Sequence, residues 1–274
     1  MPELPEVETI ARQLRTGSGG IALPGRVITR FSTSWPRQVE RPSISTFHRR
    51  IKGRTVQSVQ RRAKYLVFPL DEGTLLIHLR MSGDLFLRPP DAPQDDYVHS
   101  VFHLDNGWQL RFSDARKFGK ISWTPDPEVI LGKLGPEPLE DSFTVDLLKE
   151  RLGAHRRQLK PLLLDQHFLA GMGNIYVDEA LHRAHIHPLR QSHTLSAHEI
   201  ERLWESIRTS LRDGIRHNGA SIDWVYRGGD YQNHFRVYKQ DGKPCDVCGT
   251  PIRRTIVGQR GTYFCPGCQR ENDK

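Results

Sequence analysis

The sequence predicts an α+β protein with several domains, because three patterns follow one another along its 274 residues. Short apolar runs between residues 27 and 123, such as 65–68 and 74–79, are separated by Gly, Asp and Pro turns and are typical of a β-sandwich or barrel. Beyond residue 139 the apolar residues recur with helical spacing. The last thirty residues contain all four cysteines and are too few to form a core of their own.

The first helix is predicted to begin at Pro5, because proline suits the first turn of a helix. The glycines within residues 17–20 are expected to end this helix. Between these limits one face is apolar and should be buried; it carries Val7, Ile10, Ala11 and Leu14.

The later helices follow a joint between domains at Pro136 and Pro138, since proline disfavours helix in the residue before it. Helices are predicted over residues 143–152, 160–168, 175–184 and 196–215. The last one opens with Ser196 and Glu199 in a capping-box pattern.

Basic residues exceed acidic ones by 40 to 32, which favours a polyanionic partner. Residues 41–64 contain eight basic residues and no acidic one, and residues 151–160 contain four and none. Each run alone would suit a solvated face, but two in one basic chain predict a surface that follows phosphates.

The chain shows no apolar stretch long enough to span a bilayer, and its start resembles no signal peptide. We therefore expect no membrane association and a cytoplasmic location, where disulfides are rare. The thirteen histidines show no metal-ligand spacing and are interpreted as surface or satisfied residues.

Two Cys-x2-Cys pairs, separated by sixteen residues, predict one closed structural zinc site with the ligands Cys245, Cys248, Cys265 and Cys268. Two disulfides or four unpaired thiols are the alternatives. Between the pairs, residues 255–257 and 262–264 predict a β-hairpin around 258–261. Its tip carries Arg260, which we expect to contact phosphate or base rather than only solvent.

The N-terminus is a candidate reagent. Removal of Met1 would leave Pro2 as a secondary amine with a pKa near ~8, which a nearby helix N-terminus lowers and Glu3 raises. Such an amine can attack the anomeric carbon of a sugar and form an iminium, with Glu3 as general acid or base. The alternative is a frayed chain end with acids in the first helical turn.

Six segments resemble formamidopyrimidine-DNA glycosylases, in the order of that family and along nearly the whole chain. They are residues 1–9, 61–66, 78–83, 114–119 and 171–179, and the pair 259–260 ahead of Cys265. The resemblance implies an N-terminal helix plus β-sandwich catalytic domain (1–134) and a helix–two-turns–helix DNA-binding domain (135–225). A lesion-proximal loop or linker (226–243) and a zinc finger (244–274) would follow, with DNA bound between the halves.

The activity implied by the resemblance is bifunctional base-excision repair of double-stranded damaged DNA. Oxidised purines such as 8-oxoguanine and formamidopyrimidines would be excised through a Schiff base on Pro2, and β,δ-elimination would then nick the strand. Glu3 would be the acid/base and Lys64 a proton donor and phosphate contact. Asn174 and Arg260 would bind the flanking phosphates, and Arg260 would also serve the final elimination.

Further DNA contacts are implied by the same resemblance. Three side chains at loop tips would fill the space left by a flipped-out base, namely Met81, Arg116 and Phe118; core packing is the alternative for Met81 and Phe118. Lys160 resembles a lysine that contacts the lesion strand. Tyr97 lies near the position of a DNA-contacting histidine of the family, so Tyr97 or the nearby His99 would take that place.

Two features leave alternatives open. The segment 219–235 is shorter than the loop that covers the flipped base in many members, which leaves the preferred lesion undecided. An endonuclease VIII type, which prefers oxidised pyrimidines, would usually have glycine in place of Leu4. A non-catalytic zinc-finger DNA-binding relative would bind DNA without turnover, and an RNA-binding zinc protein has no specific support. We expect a monomer without a small-molecule cofactor.

Overall fold

The computed structural model describes residues 1–18, 20–221 and 228–271. These form two compact units, one of Met1–Lys133 with Ala220–Gly229 and one of Leu134–Gly219 with Asp230–Lys274. Parts of four predicted features lie outside the described residues. They are Gly19 in the segment expected to end the first helix, residues 222–225 of the predicted DNA-binding domain, residues 226–227 of the predicted loop, and residues 272–274 of the predicted zinc finger.

Helix α1 (Leu4–Thr16) opens the first unit and starts one residue before the predicted position. Glu3 is its N-cap residue, and the Glu3 N–H donates to the Glu6 carboxylate at 2.7 Å. Gly17 ends the helix in the left-handed conformation, at φ 78°, and its N–H donates to the Gln13 carbonyl at 3.0 Å. The predicted apolar face is buried.

Ten strands among the described residues build two five-stranded sheets in the first unit. One sheet has the order β3-β1-β8-β9-β7 and the other β2-β10-β6-β5-β4. Neighbouring strands are antiparallel except β10 and β2. The strands are β1 (Val27–Thr33), β2 (Val39–Arg41), β3 (Arg54–Thr55), β4 (Gln60–Arg62), β5 (Tyr65–Pro69), β6 (Thr74–His78), β7 (Gly83–Arg88), β8 (Val98–Leu104), β9 (Gln109–Asp114) and β10 (Lys120–Thr124).

Both sheets and α1 contribute to one hydrophobic core, which decides for the sandwich over the barrel. Phe102 and Phe112 come from one sheet, and Leu66 and Ile77 from the other; each is fully buried. Alternation of inward and outward side chains along β7 and β8 follows from the two-residue period of a strand.

Helix α2 (Ile44–Ile51) lies within the region predicted to contain only strands. Phe47 and Ile51 anchor it in the sandwich core. The basic run 41–64 is also less open than expected, because acids from distant segments pair with it. Arg50 lies 2.8 Å from Glu72, and Arg61 lies 3.0 Å from Glu8.

Helices dominate the second unit, and a short one, α3 (Glu128–Leu131), precedes them in the first. They are α4 (Val145–Gly153), α5 (Leu159–Leu164), α6 (Asn174–Arg183) and α7 (Ala197–Arg216). The predicted capping box is present: Glu199 N–H donates to Ser196 Oγ, and Ser196 N–H donates to the Glu199 carboxylate. Gly214 of α7 leaves room for the ring of Tyr176 in α6, since an added Cβ would lie 2.4 Å from it.

The helix predicted over 160–168 is shorter than expected. Asp165 follows α5 with extended backbone, and its carboxylate accepts the N–H of His167 at 3.0 Å. A local side-chain bond of this kind offers the main chain an alternative to helix.

The C-terminal hairpin consists of β11 (Arg253–Val257) and β12 (Arg260–Phe264). Its loop is Gly258-Gln259, so Arg260 pairs with Val257 as the first strand residue rather than lying within the turn. Short 3-10 turns complete the second unit at Ser192–Thr194 and Tyr231–His234, and another lies in the first at Pro36–Gln38. None of the helices in the described parts of the chain combines the length and apolar character needed to cross a membrane.

We predict that Phe102→Ala lowers the free energy of unfolding of the first unit by about 3–5 kcal/mol. The Phe102 ring is fully buried and lies 4.8 Å from Phe31, so its removal leaves a cavity in the sandwich core. Val129→Ala is the control, because Val129 is 56% exposed and should change stability by no more than about 0.5 kcal/mol. Urea unfolding measures both, and equal losses would contradict the core assignment.

Candidate nucleic-acid interface and zinc site

The start of the chain is held in place by a buried carboxylate. Pro2 and Glu3 directly precede α1, and both are buried. One oxygen of Glu6 accepts the Glu3 N–H at 2.7 Å, and the other accepts the Ala220 N–H at 2.8 Å. This bridge between the chain start and the segment after Gly219 argues against a frayed terminus.

Lys64 lies in the two-residue loop between β4 and β5, since Arg62 pairs with Tyr65. Ala63, the other loop residue, has a left-handed φ of 53°, which is uncommon outside glycine. Lys64 is only 5% exposed although it lies in a loop. The hairpin therefore fixes where this lysine is presented.

His78 is the last residue of β6 and pairs with Tyr65, the residue after Lys64. No role was expected for it from the sequence. Burial lowers the pKa of His78 to about 3, with smaller contributions from Arg80 and Lys64. Its Nδ1 accepts the Arg80 N–H at 2.9 Å, so the proton of the neutral ring lies on Nε2. The neutral His78 therefore adds no positive charge to that of Lys64.

A second buried carboxylate joins the two turns that carry Met81, Arg116 and Phe118. Asp114 Oδ1 accepts the Ser82 hydroxyl and the Arg116 N–H, the latter at 3.3 Å. Asp114 Oδ2 accepts the Gly119 N–H at 2.6 Å. The structure therefore brings these turns together through a residue whose role sequence reasoning missed.

The side chains on these turns form an exposed aromatic and cationic surface. The Arg116 guanidinium lies 4.9 Å from the centre of the Phe118 ring, and Phe118 is 48% exposed. Met81 is half-buried, so core packing accounts for only part of its surface and for little of Phe118. Exposed aromatic rings beside arginine are suited to nucleic-acid bases.

Tyr97 and His99 differ in how much of each side chain is exposed. Tyr97 is 61% exposed, whereas His99 is half-buried and its Nδ1 lies 3.3 Å from Ser34 Oγ. Burial, and then the charge of Lys117, lowers the pKa of His99. Tyr97 therefore offers the larger surface to a partner.

Backbone strain concentrates beside the predicted site residues. Eight non-glycine residues in the described part of the chain have positive φ, and five of these are, or directly adjoin, a predicted site residue: Ala63, Arg80, Tyr97, Lys117 and Gln259. Such conformations persist only where the surroundings impose them, and they are frequent at functional sites.

In the second unit, Asn174 and Lys160 both bind the main chain next to Arg260. Asn174 Nδ2 donates to the Gly261 carbonyl at 2.9 Å, and Lys160 Nζ donates to the same oxygen at 3.0 Å. Asp178 in α6 accepts the Tyr263 N–H at 3.0 Å. Helices α5 and α6 thereby hold the hairpin that presents the exposed Arg260.

The DNA contact expected of Lys160 is not supported, because its side chain has no exposed surface. Its ammonium lies 2.6 Å from the buried Asp178 carboxylate. Burial raises the pKa of Asp178 to about 7, and the Lys160 charge opposes this. The resemblance implied a lysine that contacts the lesion strand, whereas the fold supplies a buried acid that pairs with it.

The four cysteines fit a zinc ion. Their sulfur atoms lie 3.4 Å apart for Cys248 and Cys265, 3.4 Å for Cys248 and Cys268, and 3.8 Å for Cys245 and Cys268. Tetrahedral ligands at ~2.3 Å from zinc are about 3.8 Å apart, whereas disulfide sulfurs are bonded at ~2.05 Å. Hydrogen bonds with Thr250 lower the pKa of Cys248 to about 6, whereas burial raises the pKa of Cys265 and Cys268, so a bound zinc ion would itself hold those two as thiolates.

His182 supports this site from α6. Its Nε2 lies 3.3 Å from Cys245 Sγ. Burial lowers the pKa of His182 to about 4, so the ring is neutral and can donate one N–H to the sulfur. A hydrogen bond to a ligand sulfur orients that ligand. The contact spans 63 residues of sequence, and no local pattern could have revealed it.

Three family models match nearly the whole chain in succession. They are the formamidopyrimidine-DNA glycosylase N-terminal domain (residues 1–121), the formamidopyrimidine-DNA glycosylase H2TH domain (134–225) and the zinc finger found in FPG and IleRS (242–270). The chain belongs to the formamidopyrimidine-DNA glycosylase family. The family, the fold class and one structural zinc ion, all predicted from the sequence, are confirmed.

Relatives of this glycosylase family match over the full chain. A formamidopyrimidine-DNA glycosylase of Herpetosiphon aurantiacus is 47% identical, with 98% of this chain and all of the relative covered. A MutM structure with DNA containing carbocyclic 8-oxo-G has a TM-score of 0.90 and 36% identity. A Lactococcus lactis FPG structure with FAPY-dG DNA has the same TM-score and identity. Each comparison covers 98% of this chain and all of the other chain.

We predict that His182→Phe weakens zinc binding by about 10–100-fold, because the Cys245 sulfur loses its hydrogen bond. Competition with a chromogenic chelator measures the zinc affinity. His185→Ala, three residues along and exposed, should leave it unchanged, and Cys265→Ser should abolish stoichiometric zinc. Equal zinc affinity in the His182→Phe and His185→Ala variants would contradict a role for His182.

Lys160→Met is predicted to cost about 3–5 kcal/mol of unfolding free energy, since it leaves the Asp178 carboxylate buried without its cation. Adding Asp178→Asn should recover part of this loss, and Lys149→Met, at an exposed position of the same unit, should cost little. A double-mutant cycle by urea unfolding gives the coupling. Additive losses would show that the pair is not coupled.

Proposed function

We propose that this protein is a bifunctional DNA glycosylase and AP lyase of base-excision repair. Its substrates would be 8-oxoguanine and formamidopyrimidines in duplex DNA. The observation that carries the proposal is the fixed Pro2-Glu3 start at the N-terminus of α1, in a chain that matches the family models from end to end.

Pro2 is the proposed nucleophile once Met1 has been removed. Its secondary amine precedes the N-terminus of α1, whose partial positive charge favours the neutral, nucleophilic form of the amine, while the neighbouring Glu3 opposes this effect. The nitrogen attacks C1′ of the damaged nucleotide, the glycosidic bond breaks, and the base leaves with a proton. The C1′–O4′ bond of the sugar then opens and O4′ takes a proton, which leaves the C1′–nitrogen adduct as an iminium that draws electrons from C2′.

Glu3 and Lys64 are the proposed proton-transfer groups of the first unit. Glu3 is buried beside Pro2, where a carboxyl group can protonate and deprotonate the reacting sugar. Lys64, presented by the β4–β5 loop, donates a proton and binds a phosphate during β-elimination. Loss of the C2′ proton then releases the 3′ phosphate oxygen and cuts the strand.

Arg260 and Asn174 are the proposed phosphate contacts of the second unit. Arg260 is exposed on a hairpin held by Lys160 and Asn174, so its guanidinium is free to bind phosphate and to assist the final δ-elimination. Asn174 opens α6, where helix N–H groups favour an anion.

Met81, Arg116 and Phe118 are proposed to fill the space left when the damaged base leaves the stack. The Asp114 anchor and the Arg116–Phe118 contact support a rigid wedge of this kind. Tyr97 is the proposed replacement for the DNA-contacting histidine of the family, on account of its exposure.

We also propose the domain limits 1–134, 135–225, 226–243 and 244–274 for the catalytic, DNA-binding, loop and zinc-finger parts. A monomer acting on DNA in the cytoplasm, without a small-molecule cofactor, fits a chain that contains each of the proposed catalytic groups. Light scattering of the protein with and without duplex DNA measures the stoichiometry.

The test uses a labelled duplex with one 8-oxoguanine opposite cytosine. With borohydride we expect a covalent adduct that maps to Pro2, and without it a nicked strand. Glu3→Gln should slow base excision by about 10²–10⁴-fold. Lys64→Met should slow strand cleavage, whereas Glu40→Gln and Lys133→Met, at exposed positions of the same unit, should leave both steps unchanged.

Binding without adduct or cleavage would overturn the purine assignment for this lesion. Cleavage of a duplex with an oxidised pyrimidine instead would show another lesion class. Cleavage of only a duplex with an abasic site would show a lyase without this base pocket. No adduct and no cleavage with any of the three duplexes would leave a DNA-binding zinc protein.

A further inference from the structure

A second group of metal-binding side chains lies in the second unit, apart from the four cysteines. It consists of His217, Asp230 and His234, whose ligand atoms lie within 4.8 Å of one another. His217 Nδ1 is 3.1 Å from Asp230 Oδ1, and His234 Nε2 is 4.0 Å from Asp230 Oδ2. Donor atoms bound to one metal at ~2.1 Å are separated by about 3–4 Å.

Main-chain bonds hold the three ligands in place. His217 follows the last residue of α7, and its carbonyl accepts the Asp230 N–H at 3.0 Å. Gly219 accepts the Tyr231 N–H at the same distance. The Tyr231 ring also stacks on Tyr176 of α6, with centroids 5.3 Å apart. Because the backbone already joins both segments, a metal would need to order little more than side chains.

The donor set favours one class of ion. Two imidazoles and one carboxylate suit divalent first-row transition metals, among them zinc, nickel, copper and iron, whereas magnesium and calcium prefer sites made of oxygen alone. The charges of Arg183 and Arg216 close to the site are offset by Asp213, at 2.6 Å and 3.1 Å. His217 and His234 line a cavity of about 560 Å³, which leaves space for water to complete the coordination.

We propose that His217, Asp230 and His234 bind a divalent transition-metal ion of the zinc, nickel and copper class, separately from the structural zinc. This ion joins the end of α7 to the turn Tyr231–His234 within the second unit. It takes no part in the chemistry proposed for Pro2. The proposal departs, for His217 and His234, from the expectation that the histidines are surface or satisfied residues.

The test is equilibrium dialysis of the zinc-loaded protein against micromolar nickel, with nickel and zinc measured together by mass spectrometry. We expect one bound nickel per chain with the structural zinc retained. His217→Ala and His234→Gln should each weaken nickel binding by more than about tenfold. His198→Ala, an exposed histidine in the first turn of α7, is the matched control and should bind as the parent does.

Nickel binding only in exchange for zinc, or none at all, would overturn the proposal. An equal loss in His198→Ala and His217→Ala would also overturn it, since it would show scattered surface binding. Urea unfolding of each variant in the absence of nickel checks the fold, and His234→Gln serves as an independent test should His217→Ala prove unstable. Nickel stoichiometry is read without DNA, so the outcome is independent of glycosylase activity.

Discussion

Carboxylates buried inside the two units accept main-chain N–H groups, and the loops of this protein depend on these bonds. Glu179 has no exposed surface, and its oxygens accept the N–H groups of Arg236, Val237 and Tyr238 at 2.9 to 3.2 Å. A buried carboxylate is costly unless such donors surround it. The pairing therefore works in both directions: the acid requires the loop to adopt one conformation, and the loop satisfies the acid.

The same device recurs at three of the elements that present proposed functional groups. Glu6 fixes the chain start, Asp114 fixes the turns around Arg116 and Phe118, and Asp178 with Lys160 fixes the hairpin of Arg260. Exposed groups at loop tips would otherwise lose rotational freedom when DNA binds. Hydrogen bonds from their main chain to a buried carboxylate reduce that entropic cost and keep the side chains close to the geometry that binding needs.

The zinc site and the proposed second metal site show which metal-binding residues short sequence motifs can predict and which they cannot. The zinc site was predicted because each Cys-x2-Cys pair can place both sulfurs on one turn, whatever the rest of the chain does. His182 contacts a ligand of that site from a helix 63 residues away in sequence, and His217 meets Asp230 and His234 only because α7 ends beside the turn that follows. Ligands that come from separate elements leave no spacing in the sequence.

The sequence by itself determined that a region of strands precedes a region of helices, and it determined the four main helices, the zinc ligands and, through the motifs, the family. These depend on apolar periodicity, capping residues and local spacing, which act over a few residues. The tertiary structure decided the burial of Lys160, the ion pairs that interrupt the basic run, and the anchoring roles of Glu6, Asp114 and Glu179. In the sequence these are ordinary charged residues, because the free energy of a charge depends on which donors the fold places around it.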